Sequence, residues 1–283
     1  MRQSSTHGNQ FTGAPMGFGR NSDHMEFDGS PAGGSQPPTP TPAGVLTVPV
    51  SRQRIRFILS VGVLFLTAMH LVGLFSIFVL NRSNLYGIID RFHLDSEANI
   101  PAWYASLLML ACAVVIGLIA AKKRIDRDPF VRHWIGMALL LLFMSVDEAA
   151  RLHELLTRPM RELTGNAGGW LPFGWVMPGV LLALIVGVAY LRFLAHLPPA
   201  TRRRFVLAGA IFLGAAIGLE TVGGWYITIR GNGVGYNLLA STEEVLEKLS
   251  VILAIDAALA YLATQAPIVR LALIRNDSSS SPA

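Results

Sequence analysis

Polar and apolar positions along this chain do not alternate with a short period. The apolar residues come in long blocks, and six of these reach the about twenty residues that a helix needs to cross a bilayer. They run over roughly 55–80, 101–121, 134–155, 173–196, 205–229 and 237–263. The third and the sixth reach that length only if their carboxylates are tolerated inside a bundle. The predicted fold class is all-α: a polytopic membrane helical bundle of six transmembrane helices, occupying residues 46–268.

The flanks read differently. Residues 1–45 are rich in Gly, Ser, Pro, Asn and Thr, with PPTPTPAG at 37–44 as the clearest low-complexity piece. Such a segment buries too little apolar area to offset its ordering entropy and reads as a disordered tail, as does 269–283. The N-terminal tail holds no apolar core of the kind a cleaved signal peptide needs, so the first span is predicted to remain and act as its own insertion signal.

Composition agrees with the block pattern: 52% of the residues are hydrophobic and 14% charged, a balance that fits a membrane bundle and not a soluble domain. A net charge of +5 is compatible with a nucleic-acid binder, but the basic residues sit in short clusters beside apolar runs and read as topology signals. No nucleic-acid partner is expected. The single cysteine, Cys112, lies inside an apolar run; it permits no internal disulfide and reads as a small buried apolar residue.

Arginine and lysine set the orientation. Arg52, Arg54 and Arg56 precede the first span, Lys122, Lys123, Arg124, Arg127 and Arg132 fill the second connection, Arg202, Arg203 and Arg204 the fourth, and Arg270 and Arg275 the tail. The other connections are poorer in basic residues, so both termini and the even-numbered connections are predicted to be cytoplasmic. Trp103, Trp170, Trp175, Trp225 and Tyr236 then fall near the outer interface. The preference for arginine over lysine and the compact plan favour a bacterial inner membrane.

The outer connections carry signals of their own. Leu85, Ile88, Ile89 and Phe92 have the spacing of a short amphipathic helix on the membrane surface. Asp95, Ser96, Glu97 and Asn99 precede Pro101 and suit the first turn of the second span, where acids complement the helix dipole. Gly165, Gly168 and Gly169, and GNGVG at 231–235, read as turns; a phosphate loop would need a preceding strand, and none is predicted.

Candidate chemistry lies in FMSVDEAARLHE, residues 143–154. Charged side chains near a helix centre cost roughly 2.5–3.5 kcal/mol each, so an intramembrane cluster points to function. At about 1.5 Å per residue, Asp147 and Glu148 lie about 20 Å up the third span, Glu220 about 22 Å up the fifth and His70 about 22 Å up the first. Glu243, Glu244 and Glu247 sit about 8–15 Å below the outer surface on the descending sixth span. These ionisable groups share one slab in the outer half of the bilayer.

Helical spacing places Glu243, Glu244 and Glu247 within about 100° of arc, and Asp147, Arg151 and Glu154 on one face at i, i+4 and i+7, with Glu148 and His153 to either side. Gly214 and Gly218 form a GxxxG pattern leading to Glu220, predicting close approach to a neighbouring helix. The layer holds seven carboxylates, Asp147, Glu148, Glu154, Glu220, Glu243, Glu244 and Glu247, against Arg151, Lys248, His70 and His153. Desolvation and like-charge proximity both favour the protonated form, so the excess requires protons, a bound cation or a water-filled cavity.

Three functions fit. The first is a cation-binding or proton-coupled transporter, with Glu243, Glu244, Glu247, Asp147 and Glu220 as its site, Asp95, Glu97, Arg151, Glu154 and Asp256 as further proton or ion pathway candidates, and a homodimer as a way for so short a chain to transport. The second is a membrane-embedded metalloenzyme acting on a small apolar or lipid-like substrate. Its iron, manganese or zinc ligands would come from Asp147, Glu148, His153, Glu220, Glu243, Glu244, Glu247 and His70. Spacing opposes a simple match, since Glu148 and His153 are five apart and HELLT lacks the second histidine of a His-Glu-x-x-His helix. The third is a structural or assembly subunit whose buried acids pair with basic residues.

Overall fold

The computed structural model describes residues 51–82, 87–163 and 174–266. The expected tails at 1–45 and 269–283, and the expected features at Leu85, Gly165, Gly168, Gly169 and Trp170, lie outside the described residues. Every regular element among those described is helical: α1 Arg52–Phe78, α2 Ile88–Phe92, α3 Ile100–Ile125, α4 Val131–Ala150, α5 Glu154–Leu163, α6 Val176–His196, α7 Pro199–Leu213, a π-helical turn Gly214–Leu219, α8 Glu220–Arg230 and α9 Val234–Gln265. Five helical segments among the described residues are long and apolar enough to cross a membrane: α1, α3, α4, α6 and the continuous Pro199–Arg230. Their outer faces are apolar and uncovered, as at Leu64, Val72, Leu139, Leu181 and Val188, which suits a hydrocarbon surrounding.

Local chemistry sets the helix ends. The Ser51 hydroxyl accepts from the Arg54 N–H, Asn99 caps α3 by accepting from the Ala102 N–H at 3.1 Å, and Pro101 and Pro199 fall in the first turns of α3 and α7, where a missing N–H costs nothing. Lys122, Lys123 and Arg124 complement the dipole at the end of α3. The α8–α9 connection turns at Gly231, whose φ of +72° suits glycine. Two residues later α9 begins.

α9 is the axis of the bundle. It packs against α1, α3, α7, the π turn and α8, while α4 leans on α3, and α6 touches only α7 and the π turn among the more extensive contacts. Two polar links tie α1 to α9 antiparallel: His70 meets Ser241 at 2.7 Å, and Asp256 meets Arg52 at 3.1 Å and Arg56 at 3.7 Å. At 1.5 Å per residue these links are about 22–27 Å apart. Asp256 is therefore a clamp on the start of α1, at the opposite end from the acidic layer. Around that end lie the largest fully buried aromatic side chains: Trp134 stacks on Tyr261 with centroids 5.2 Å apart, Phe193 meets Trp134 edge-on at 4.9 Å, and Cys112 is fully buried in the same cluster. On the α3–α4 seam Ser106 and Ser145 exchange hydrogen bonds, each hydroxyl donating to the other's carbonyl at 2.7 and 2.8 Å.

Three expectations are corrected. The third span does not run to residue 155: α4 stops at Ala150, and Arg151 adopts φ +59°. The GxxxG glycines make no close approach, because Gly214 and Gly218 lie in the π turn with nothing within 4 Å of an added Cβ. The small residues turned inward are Ala215, Ala216, Gly223 and Gly224 instead, with Gly223 facing Tyr236 and Leu239 of α9. The π turn shifts the register of the helix by one residue per turn and so moves this inward stripe off the GxxxG spacing. Finally, α2 is not a free surface helix: Ile89 is buried and Phe92 meets Phe65 of α1 edge-on at 6.0 Å, although Ile88 stays exposed.

Candidate functional site

The acidic layer has two walls. On α9, Glu243, Glu244 and Glu247 project from adjacent turns, and Glu243 and Lys248 are buried. Lys248 pairs with the Glu244 carboxylate one turn earlier. Glu243 lies against Glu220 of α8, its side-chain hydrogen-bond partner. Glu148 of α4 has Glu244, Lys248, His153 and Asp147 as its charged neighbours, and those of Glu247 are Glu244, Glu148, Lys248 and Glu220. Among the described residues five carboxylates from α4, α8 and α9 thus form one connected group, of which Glu148, Glu244 and Glu247 have the buried Lys248 ammonium as a neighbour. Glu220 follows directly on the π turn, which sets where along the helix this carboxylate faces α9.

At the end of α4 the charges are handled by pairing. The Asp147 carboxylate accepts the His153 backbone N–H at 2.7 Å and meets its Nδ1 at 3.0 Å. That turn ends the helix. The expected face of Asp147, Arg151 and Glu154 therefore does not form: Glu154 opens α5, and Arg151 pairs with both Glu154 and Glu97. On its other side His153 presents Nε2 to Glu97 at 3.2 Å. Both ring nitrogens face carboxylates, the arrangement an imidazolium satisfies best. Burial disfavours the charged ring, but the Asp147 hydrogen bond and the charges of Asp147, Glu148 and Glu154 outweigh it and hold the His153 pKa above its usual value. Trp175 joins the walls: its ring lies 5.3 Å from His153 and its indole N–H donates to Glu220 at 3.3 Å.

The connection between α2 and α3 covers the layer, and sequence reasoning missed most of it. Capping of α3 falls to Asn99, not to Asp95 or Glu97. His70 is a structural latch: Ser241 donates its hydroxyl to the Asn237 carbonyl, so His70 Nε2–H donates to Ser241 Oγ while Nδ1 accepts the Leu94 N–H at 3.2 Å. Edge-on to it at 4.7 Å lies His93, whose Nε2 meets Asn237 Oδ1 and whose Nδ1 meets Ser96, both at 3.2 Å. Burial lowers the His93 pKa against the opposing pull of Asn237, Asp90 and Glu244, so this ring is neutral at neutral pH. Nothing in the spacing of His93, Ser96 and Asn237 marks them, since they are brought together by chain crossing.

Asp95 stands at the rim with an exposed surface, hydrogen-bonded to Tyr236. Crowding of its carboxyl by surrounding protein, then the charge of Glu244, push its pKa up to about 7 against the Tyr236 hydrogen bond, with Glu220 adding. Trp103 and Trp225 are more than half exposed, whereas Trp175 and Tyr236 belong to the site.

Among the described residues no three His, Cys, Asp or Glu side chains converge closely enough to hold a metal ion. The histidine nitrogens of His70, His93 and His153 are all taken by protein partners. The arrangement suits proton sharing: acids in contact, one buried cation, and polar side chains leading to the rim. No curated protein and no solved structure matches the chain. Residues 50–262, which run from the start of α1 into the last turns of α9 and include both acidic walls, match the family Domain of unknown function (DUF8692), and the chain belongs to that family.

Proposed function

We propose that the protein is a proton-coupled transporter of a bacterial inner membrane, with α9 as a sixth span, both termini cytoplasmic and the acidic layer toward the periplasm. One observation carries this reading. Among the described residues, Glu148, Glu244 and Glu247 have Lys248 as their one buried cationic neighbour, and Glu220 and Glu243 crowd onto the same acids without reaching it. A purely structural cluster would pair acids with bases, as the end of α4 does; an unbalanced one stores exchangeable protons. α9 can carry these groups through the bilayer because its neighbours shield them from lipid. The alternating basic connections support the orientation.

The test is proton uptake into proteoliposomes loaded with a pH-sensitive dye and driven by a potassium diffusion potential. Uptake above that of protein-free vesicles, strongly weakened by Glu247→Gln, is the expected result. Uptake no faster than in empty vesicles overturns the reading. Dependence on sodium instead of the pH difference would make the site a cation site, and stoichiometric iron, manganese or zinc in the purified protein would return the metalloenzyme. Reporter fusions in the 122–133 connection test the orientation, and a periplasmic signal there inverts it.

A further inference from the structure

Three chain segments meet at His153, and a structural turn explains only part of what they do there. Ending α4 needs the Asp147 carboxylate and the His153 backbone N–H, which meet at 2.7 Å. It does not need the imidazole, yet that ring is held between two carboxylates, with Nδ1 3.0 Å from Asp147 and Nε2 3.2 Å from Glu97. The ring itself is about a quarter exposed, 25%, with Glu97 at 28% and Asp147 at 22%. Inward of Asp147 the next acid is Glu148, whose charged neighbours are Glu244, Lys248 and His153 itself. The groups around the ring are therefore Asp147 and Glu148 from α4, Glu97 from the α2–α3 connection, Arg151 and Glu154 on either side in sequence, and Trp175 with Glu220 behind it.

We propose that His153 is the proton-transfer residue through which the buried carboxylates exchange protons with the outer aqueous phase, passing them between Glu97 and Asp147. The proposal rests on the proton-coupled reading. A proton on Glu97 moves to Nε2 of the Nδ1–H tautomer: the carboxyl O–H bond breaks, the Nε2–H bond forms, and the ring becomes an imidazolium between two carboxylates. The Nδ1–H bond then breaks as an O–H bond forms on Asp147. One proton has moved inward, Glu97 is again a carboxylate, and the ring is neutral with its proton on Nε2. Water at the partly exposed ring exchanges the tautomer before the next transfer. The order reverses for outward movement. An imidazole, which accepts a proton on one nitrogen and releases one from the other, suits the task.

The test uses the full-length protein in dye-loaded proteoliposomes with a potassium diffusion potential. His153→Gln keeps a polar side chain at the turn but carries no proton, and initial proton uptake should fall about tenfold or more. External imidazole should restore much of that rate, beyond its effect on protein-free vesicles, while Glu247→Gln stays slow in imidazole. Glu97→Gln, which leaves the turn at Asp147 intact, should be slowed as His153→Gln is. A wild-type rate in both variants, with Glu247→Gln slow, overturns the His153 proposal and leaves the proton-coupled reading standing. So does a slow His153→Gln that melts with the wild type and ignores imidazole, because a structural role would behave that way. Wild-type vesicles that take up no protons remove both.

Discussion

The two acid-rich stretches, SVDEAARLHE at 145–154 and STEEVLEKLS at 241–250, look alike in sequence and are treated oppositely by the fold. In the first the helix stops. Its charges leave the helix surface and pair one by one, Arg151 with Glu97 and Glu154, His153 with Asp147 and Glu97. In the second the helix continues through its acids, with Lys248 the nearest compensating charge. The difference lies in the surroundings. α9 is packed against α1, α3, α7 and α8, so its acids stay on the helix among neighbouring helices, whereas at the end of α4 the chain turns back on itself and the α2–α3 connection brings Glu97 to it. Identical residue types thus become paired charges around a turn in one place and an acid-rich wall with few cations in the other.

The most direct way to break this contrast is to remove one cation from each wall. Lys248→Met leaves a buried carboxylate uncompensated and should cost roughly 3–5 kcal/mol. Arg151→Met removes a largely exposed partner and should cost less than about 1 kcal/mol. Thermal unfolding in detergent reads both, and equal losses would erase the distinction between the walls.

A smaller effect is expected where the α4 cap itself is cut. Asp147→Ala loses charge-assisted bonds to the His153 backbone and ring and should cost about 1.5–3 kcal/mol. Amide exchange at His153 should accelerate with it. Asp147→Asn keeps the backbone acceptor and should recover part of the protection.

Proton linkage sharpens the comparison further. His153 has a folded pKa above its unfolded value of about 6.5, so its stabilisation is fully present below that value and is lost as pH rises through the folded pKa. Melting temperature should fall over that window in the wild type and fall less in His153→Gln. At the rim of the α9 wall the outcome for an acid is the reverse of the usual one. Asp95 is pushed up to about 7, so the fold favours its protonated form, and stability is lost as pH climbs from about 3.9 to the folded value. Asp95→Asn should therefore raise the melting temperature above pH 7 and change it little in acid.

The smallest expected change lies outside both walls. Ser106→Ala removes one side of the reciprocal serine pair between α3 and α4 and should cost about 1 kcal/mol. An equally small cost for Lys248→Met would place that lysine in the same class of contact.

Much of the bundle is legible along the chain because the signals are local. Block length, proline and asparagine at helix starts, and basic residues at helix ends need no knowledge of neighbours. The slab shared by Glu148, Glu220 and the α9 acids follows in the same way from helical rise. His93, Asn237 and Ser241 leave no trace, for they sit on separate stretches and meet only when the α2–α3 connection crosses the top of α9. The end of α4 is hidden for a different reason: Arg151 takes a left-handed backbone that arginine rarely adopts, at a cost of about 1–3 kcal/mol. No glycine announces that stop.

The sequence by itself determined that this chain is a helical membrane-type protein with acids concentrated at one depth, because desolvation of apolar residues and the rise per residue act on each segment separately. Only the tertiary structure decided that α9 is the axis, that Asp256 clamps α1 far from the acids, and that His153 stands between Glu97 and Asp147. Those are choices of partner. A charged side chain takes its role from whatever can reach it once the helices are packed, and that is not written in its spacing.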